Sequence, residues 1–324
     1  MSLEASELIL NADQSIYHLN LHPGEIADTI ILVGDPERVP KVSRYFQKIE
    51  VKKSRREFIT HTGYYRDKRI SVVSTGIGTD NVDIVLNELD ALVNIDFQNK
   101  RIREETTRLN LIRLGTSGAL QEDIPVDSIV LSDLAIGFDG LLQFYDSGHI
   151  QMADIQVAFL DFSGWSVLKP VPYVVRGDSQ LYGLLDSDQV VRGFTATNSG
   201  FYGPQGRSLR LALEDPGINH KITAFRFGDL RITNMEMETA GIFGLAALMG
   251  HRATAVNCIL ANRIRGTFSE DPARAVDELI RYTLEKLTAR PWNHAFALRG
   301  CRSTLTFPGT WPWKKRVLKP KGSG

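Results

Sequence analysis

The chain has 324 residues, 43% hydrophobic and 23% charged, with 38 Lys and Arg balanced by 38 Asp and Glu. Zero net charge argues against a nucleic-acid groove or an anionic membrane surface as the main partner, while leaving room for a small anion held by local positive charge. Two cysteines, no apolar run of about 18 residues and an acidic N-terminus argue against a disulfide scaffold, a membrane-spanning helix and a secretory signal, and set the expectation of a reducing cytoplasm.

In chain order, the first expected strand is Thr29–Val33, which runs into VGDPERV, Val33 to Val39. Gly34 stops it, and Pro36 opens a short helix. Its free N–H groups, with Arg38 in the first turn, suit an anion. A tight turn with a surface arginine is the plainer reading. SRREF, Ser54 to Phe58, taken alone is a basic surface face. The strand Ile70–Ser74 leads into STGIGTDN, Ser74 to Asn81, which has two of the three glycines of a dinucleotide fingerprint. A strand-to-helix turn fits it better than a nicotinamide site. The helix expected over Asn81–Asn94 carries Val82, Val85, Leu86, Leu89 and Leu92 on one face. Gln98–Thr107 is a charged insertion, a solvated loop or helix extension.

Asn110–Leu114 reads as a strand with Arg113 inside it. A charge in an apolar strand needs an anion or a carboxylate. Thr116, Ser117 and the glycines beyond offer hydroxyls and free N–H groups. Further strands are expected at Ser128–Leu131, Tyr173–Val175 and Phe194–Thr197. Next comes SGFYGPQGRSL, Ser199 to Leu209, whose glycines and proline mark a loop. It nevertheless carries Phe201, Tyr202, Gln205 and Arg207, a set suited to a flat polar object.

A helical pattern covers Asn234–Met249 and opens on NMEMETAG. Glu236 and Glu238, two apart on a helix, are expected to point in different directions, one capping the helix and the other accepting from a polyol. The strand Thr254–Leu260 holds Cys258 and ends in LANRIRG, with Asn262 and Arg263. Asp271 and Pro272 start an amphipathic helix through Val276, Leu279, Ile280, Leu284 and Leu287. The composition changes after Pro291, so the expected division is a domain over 16–290 and a mostly irregular extension over 291–324 that packs Trp292, Trp311 and Trp313 on the body. The basic end is solvated.

Strands alternating with helices indicate an α/β fold around a largely buried sheet. The seven histidines are scattered, with no CxxC and no G-x-S-x-G elbow, so no metal site or serine nucleophile is expected. Anion-binding pieces, carboxylates and a stacking loop without a protein nucleophile suit a reaction whose nucleophile is itself a bound anion.

YHLNL, VGDPERV, SRREF, STGIG, RLGTSG, FYGPQGR, NMEMET and the NR of LANRIRG, in that order, resemble the nucleoside phosphorylases of the uridine phosphorylase type, over roughly His18 to Leu287. The resemblance implies a single-domain α/β fold, a mixed central β-sheet curling toward a barrel and flanked by α-helices. It implies reversible phosphorolysis of uridine to uracil and ribose 1-phosphate, with phosphate as co-substrate and no metal or organic cofactor in the chemistry. Gly34, Arg38, Arg113 and Thr116 correspond to phosphate ligands, and Arg56 to one supplied by a neighbouring subunit. Met237 and Glu238 match residues at the ribose, with His18 reaching the 5′-hydroxyl from the partner. Phe201, Gln205 and Arg207 match the uracil loop. Arg263 stands where purine-type relatives carry an acidic residue, and an arginine cannot serve as that general acid. Some members bind a monovalent cation between subunits. Glu57 is kept at that place, but Asn81 replaces a small hydroxyl. A homo-oligomer, dimer or hexamer, with shared active sites is implied, in nucleoside catabolism and pyrimidine salvage. The rival readings are a purine nucleoside phosphorylase, a related nucleosidase, or a catalytically idle nucleoside-binding protein.

Overall fold

A computed structural model describes residues 3–289 of the chain. The expected C-terminal extension, with its three tryptophans and Cys301, lies outside the described residues.

The elements run β1 Thr29–Val33, α1 Arg38–Ser43, β2 Lys48–Arg55, β3 Phe58–Tyr65, β4 Lys68–Ser74, α2 Thr79–Asn94, the short hairpin β5 Ile95–Asp96 and β6 Arg101–Ile102, and β7 Asn110–Ala119. They continue through β8 Ile129–Gly137, α3 Ala153–Ser163, β9 Tyr173–Arg176, α4 Ser179–Leu185, β10 Val190–Thr197, α5 Ile218–Ala224 and the hairpin β11 Arg226–Phe227 and β12 Leu230–Arg231. The last are β13 Asn234–Glu236, α6 Thr239–Leu248, β14 Arg252–Asn262, β15 Thr267–Phe268 and α7 Pro272–Thr288.

Eleven strands form one mixed sheet. Five of them close on themselves: β14 pairs with β7 and β8, β8 with β10, β10 with β13, and β13 with β7. The ring is mixed, because the β13–β7 and β14–β8 pairs are antiparallel and the other three are parallel. An open arm continues from β7 through β1, β4 and β3 to β2. All five residues of β1 are buried, as expected for a strand with parallel neighbours on both edges and helices over its faces. Helix α6 is buried almost all round and packs on α2 and the ring, so its nearly uniform apolarity has a structural cause.

Several expectations change. The helix expected from Asn234 begins at Thr239, because Asn234–Glu236 is recruited as a strand that closes the ring. Tertiary pairing outweighs the local helical pattern there. β7 does not stop at Leu114 but continues through RLGTSGA to Ala119. Gly115 permits this, since a Cβ there would lie 2.4 Å from Asn257 Oδ1 and 2.9 Å from the Arg113 guanidinium carbon. The strands β2 and β3 have no counterpart among the expected elements. They form a hairpin with SRREF at its tip, and β2 alternates exposed and half-buried residues, which reads from sequence as a charged surface run. The Gln98–Thr107 insertion is exposed, and part of it forms the β5–β6 hairpin.

Candidate active site

The C-terminal ends of β1, β4 and β7, the turn after β10 and the β13–α6 junction all open on one cavity of about 710 Å³. Open α/β sheets place ligands at such strand ends. Gly34, Arg38, Arg113, Thr116, Phe201, Gln205, Arg207, Met237 and Glu238 all line it. Nine positions spread over some two hundred residues of sequence therefore share one space.

At the floor, Arg113 is buried between two carboxylates. Its Nε donates to Glu236 Oε2 at 2.8 Å and its Nη2 to Glu238 Oε2, and each of the three side chains is at most 5% exposed. Burial works against the Arg113 charge, but Glu238 and Glu236 outweigh it and hold the pKa above the usual arginine value. Burial raises the Glu238 pKa despite Arg113. Nη1 of Arg113 has no hydrogen-bond partner among the described residues. Arg38 comes from the first turn of α1, donates from Nη1 to the Leu114 carbonyl at 3.2 Å, and has its pKa lowered by burial and by Arg113. Two guanidinium groups beside the Thr116 hydroxyl give this corner the donors and positive charge that suit an anion.

The two glutamates do not diverge as a helix would make them. Glu236 ends β13 and Glu238 precedes α6, so both reach Arg113. Glu236 also accepts from Thr197 Oγ1 and from the N–H groups of Glu238 and Thr239, which makes it the cap of α6. Glu238 Oε1 accepts from the Gly78 N–H at 2.8 Å. The GIG turn thus serves as a support of the carboxylate floor.

At the other end, Arg207 donates from Nη1 to the Phe201 carbonyl at 2.6 Å and to Gln205 Oε1 at 2.5 Å, and lies 3.8 Å from the Phe201 ring centre. Phe201 is half exposed, while the Gln205 side chain is buried. Burial and the nearby Arg263 lower the Arg207 pKa to about 10. Tyr202 acts in the opposite direction.

Three expected residues stand outside the lining. Arg263 donates from Nη1 to the Gln205 carbonyl at 2.8 Å, behind the turn. His18 is held by Glu88, which accepts from its N–H at 2.9 Å and from Nδ1 at 2.6 Å. Arg56 sits at the β2–β3 tip with φ 54°, its guanidinium 5.9 Å from the Tyr17 ring, against which His18 packs edge-on. Glu57 and Asn81 line the cavity beside Gly76. Among the described residues no three His, Cys, Asp or Glu side chains cluster as metal ligands, and no helix is long and apolar enough to cross a membrane. Sequence reasoning did not assign Ile77 or Phe268 to the site, and Phe268 lies on β15, for which the sequence gives no periodic signal.

Residues 28–289 match the phosphorylase superfamily. The chain is 31% identical over 261 residues to a uridine phosphorylase of Thermococcus kodakarensis, covering 78% of this chain and 80% of the relative. It is also 31% identical over 277 residues to a DeoD-type purine nucleoside phosphorylase of Clostridium perfringens, covering 83% and 97%. Among solved structures, the Trypanosoma brucei nucleoside phosphorylase, described as showing uridine phosphorylase activity, aligns with a TM-score of 0.79 at 28% identity over 87% of this chain and all of that one.

Proposed function

The chain belongs to the phosphorylase superfamily, and we propose that it is a uridine phosphorylase, a pentosyltransferase that converts uridine and phosphate to uracil and ribose 1-phosphate. One observation carries the choice of base: the turn at the base end offers Phe201, Gln205 and Arg207, and the residue bonded behind it is Arg263, which stays protonated and cannot serve as a general acid. A purine leaving group needs a proton donor near its imidazole nitrogen. A pyrimidine leaves with negative charge on its carbonyls and ring nitrogen, which an amide and an arginine stabilise.

Phosphate sits in the corner of Gly34, Arg38, Arg113 and Thr116. Guanidinium and hydroxyl donors replace its hydration, each charge-assisted hydrogen bond contributing roughly 1.5–3 kcal/mol. The ribose lies over Met237, with Glu238 accepting from its hydroxyls. A phosphate oxygen attacks C1′ as the bond from C1′ to the uracil ring nitrogen breaks, and the electron pair leaves with the base. Fixing phosphate beneath C1′ replaces an encounter with positioning, and its negative charge stabilises the cationic sugar of the transition state. Phe201 stacks on the leaving uracil. No metal or organic cofactor is required by this chemistry.

The reading includes a homodimer or larger assembly. His18 and Arg56 gather around Tyr17 outside the lining of their own cavity, which supports their delivery to the ribose and phosphate of a second copy. A monovalent cation near Glu57 and Asn81 belongs to the same expectation, as do a cytoplasmic location and a role in pyrimidine salvage.

The test is uracil release followed by absorbance. Uridine should be cleaved only when phosphate is present, and faster than inosine. Release that ignores phosphate, or preference for inosine, overturns the reading.

A further inference from the structure

Among the described residues, every hydrogen bond but two made by residues 200–207, the turn assigned to the base, stays within the turn. Gln205 N–H donates to the Tyr202 carbonyl, Gly206 N–H to Gly203 and Arg207 N–H to Tyr202. Arg207 closes the turn through its side chain onto Phe201 and Gln205. The two bonds that leave the turn converge on a single atom, the Gln205 carbonyl oxygen. Arg263 Nη1 donates to it from the end of β14 at 2.8 Å, and Asn219 Nδ2 donates to it from α5 at 3.1 Å.

We propose that Asn219 is a positioning residue for the base: with Arg263 it clamps the Gln205 carbonyl and so fixes where the Gln205 amide and the Arg207 guanidinium meet the pyrimidine. The proposal rests on reading 201–207 as the base-holding turn.

The fit of Asn219 is one-sided in a way that marks its task. Its Oδ1 is buried and has no hydrogen-bond partner among the described residues. A residue selected only to pack there would be apolar, since an unmatched buried acceptor costs stability. Turning the amide over does not help, because Oδ1 would then face the Gln205 carbonyl and two acceptors would oppose each other. The amide is therefore kept for its donor. Gly206 supplies the second part of the device. Its φ is +66°, and a Cβ there would come within 2.4 Å of Asn219 Nδ2. The turn adopts the left-handed geometry open to glycine, and Asn219 occupies the space that the absent side chain leaves.

The clamp adds a constraint that Arg263 alone does not. A single donor leaves the turn free to pivot about the carbonyl. Two donors, from β14 and α5, fix its direction, and Gln205 Nε2 and Arg207 are carried with it.

The experiment uses the full-length protein. Asn219→Leu keeps the branched shape and the number of heavy atoms, removes the donor and relieves the orphaned Oδ1. The expected result is an unchanged or higher Tm, faster hydrogen exchange at the Gly206 and Arg207 amides, and a fall in kcat/KM for uridine of about tenfold or more, one hydrogen bond's worth. The phosphate KM stays within about twofold, since a uniform loss would point to general damage. In a second arm, Gly206→Ala is made alone and with Asn219→Ala. Their effects on kcat/KM should be sub-additive, because removing Asn219 removes the collision. Strict additivity, unchanged exchange in Asn219→Leu, or faster exchange with unaltered kinetics each overturns the proposal. If the wild-type protein releases no uracil from uridine with phosphate, the activity reading falls separately, and exchange at Gly206 and Arg207 still decides the clamp.

Discussion

Arg113 and Glu238 form a buried ion pair at the cavity floor, each side chain about 5% exposed, with Glu236 closing the other side of the guanidinium. On the proposed reading the pair joins the phosphate corner to the ribose edge, so a change at Glu238 should affect both sugar binding and the shape of the phosphate site.

Glu238→Gln keeps the volume and an acceptor but loses the charge. Arg113 retains Glu236, so the fold should survive with a loss of roughly 1–3 kcal/mol, the range for an imperfectly satisfied buried group. Uridine kcat/KM should fall about 100-fold or more, by the tenfold-per-1.4-kcal/mol relation. Urea unfolding and steady-state rates measure the two effects side by side. A variant as active as the parent would remove Glu238 from the ribose site.

The Arg38 side chain makes one hydrogen bond among the described residues, to the Leu114 carbonyl. Arg38→Ala should raise the KM for phosphate by about 10- to 150-fold, the equivalent of one charge-assisted hydrogen bond. Uridine binding measured without phosphate should hardly change. An equal loss for both substrates would mean that the corner is not a phosphate site.

On the proposed reading, Arg207→Ala removes the donor that stabilises the leaving base. The rate constant for turnover should drop about 100-fold, as for other groups that stabilise developing negative charge. Arg38→Lys, by contrast, should leave the folding midpoint nearly intact. If kcat/KM for uridine is unaffected by Arg207→Ala, the turn does not hold the base.

Cys258 lies on β14 opposite Thr116, and burial, reinforced by Asp127 and opposed by Arg38, pushes its thiol up to about 12. With Cys301→Ser making it the sole thiol, native protein at pH 8 should resist thiol reagents and react only on unfolding. The unfolded thiol titrates near 8.5. Between there and about 12 the native state keeps a proton that the unfolded state has released, so stability should fall as pH rises through that window. Cys258→Ala should flatten that part of the slope in urea midpoints taken from pH 8 to 10.5. Rapid labelling of the native protein at pH 8 would show the site to be open.

Shared active sites can be tested by mixing two inactive variants. Arg113→Met disables its own cavity, and Arg56→Ala disables the neighbour's. Co-refolded subunits should recover about a quarter of wild-type activity, since half of randomly paired dimers carry one intact site of two. Recovery at the background level would place Arg56 in its own subunit's site, and full activity of Arg56→Ala alone would place it outside any.

Much of this molecule was legible along the chain. The strands β1, β4, β8, β9, β10 and β14 showed as apolar β-branched runs, and glycine and polar residues at their ends marked the chemistry, because strand ends in such sheets are where side chains meet ligands. The order of VGDPERV, RLGTSG, FYGPQGR and NMEMET identified the family. What only the tertiary structure decided was which residues share an atom. β13 is a strand because β7 and β10 are there to pair with it, and Glu236 and Glu238 converge on Arg113 for that reason alone. Likewise, Asn219 is an unremarkable residue of a short helix until folding brings it to the Gln205 carbonyl. Local sequence carries propensity and pattern, whereas a contact between residues far apart depends on closure of the ring, which no window of the sequence contains.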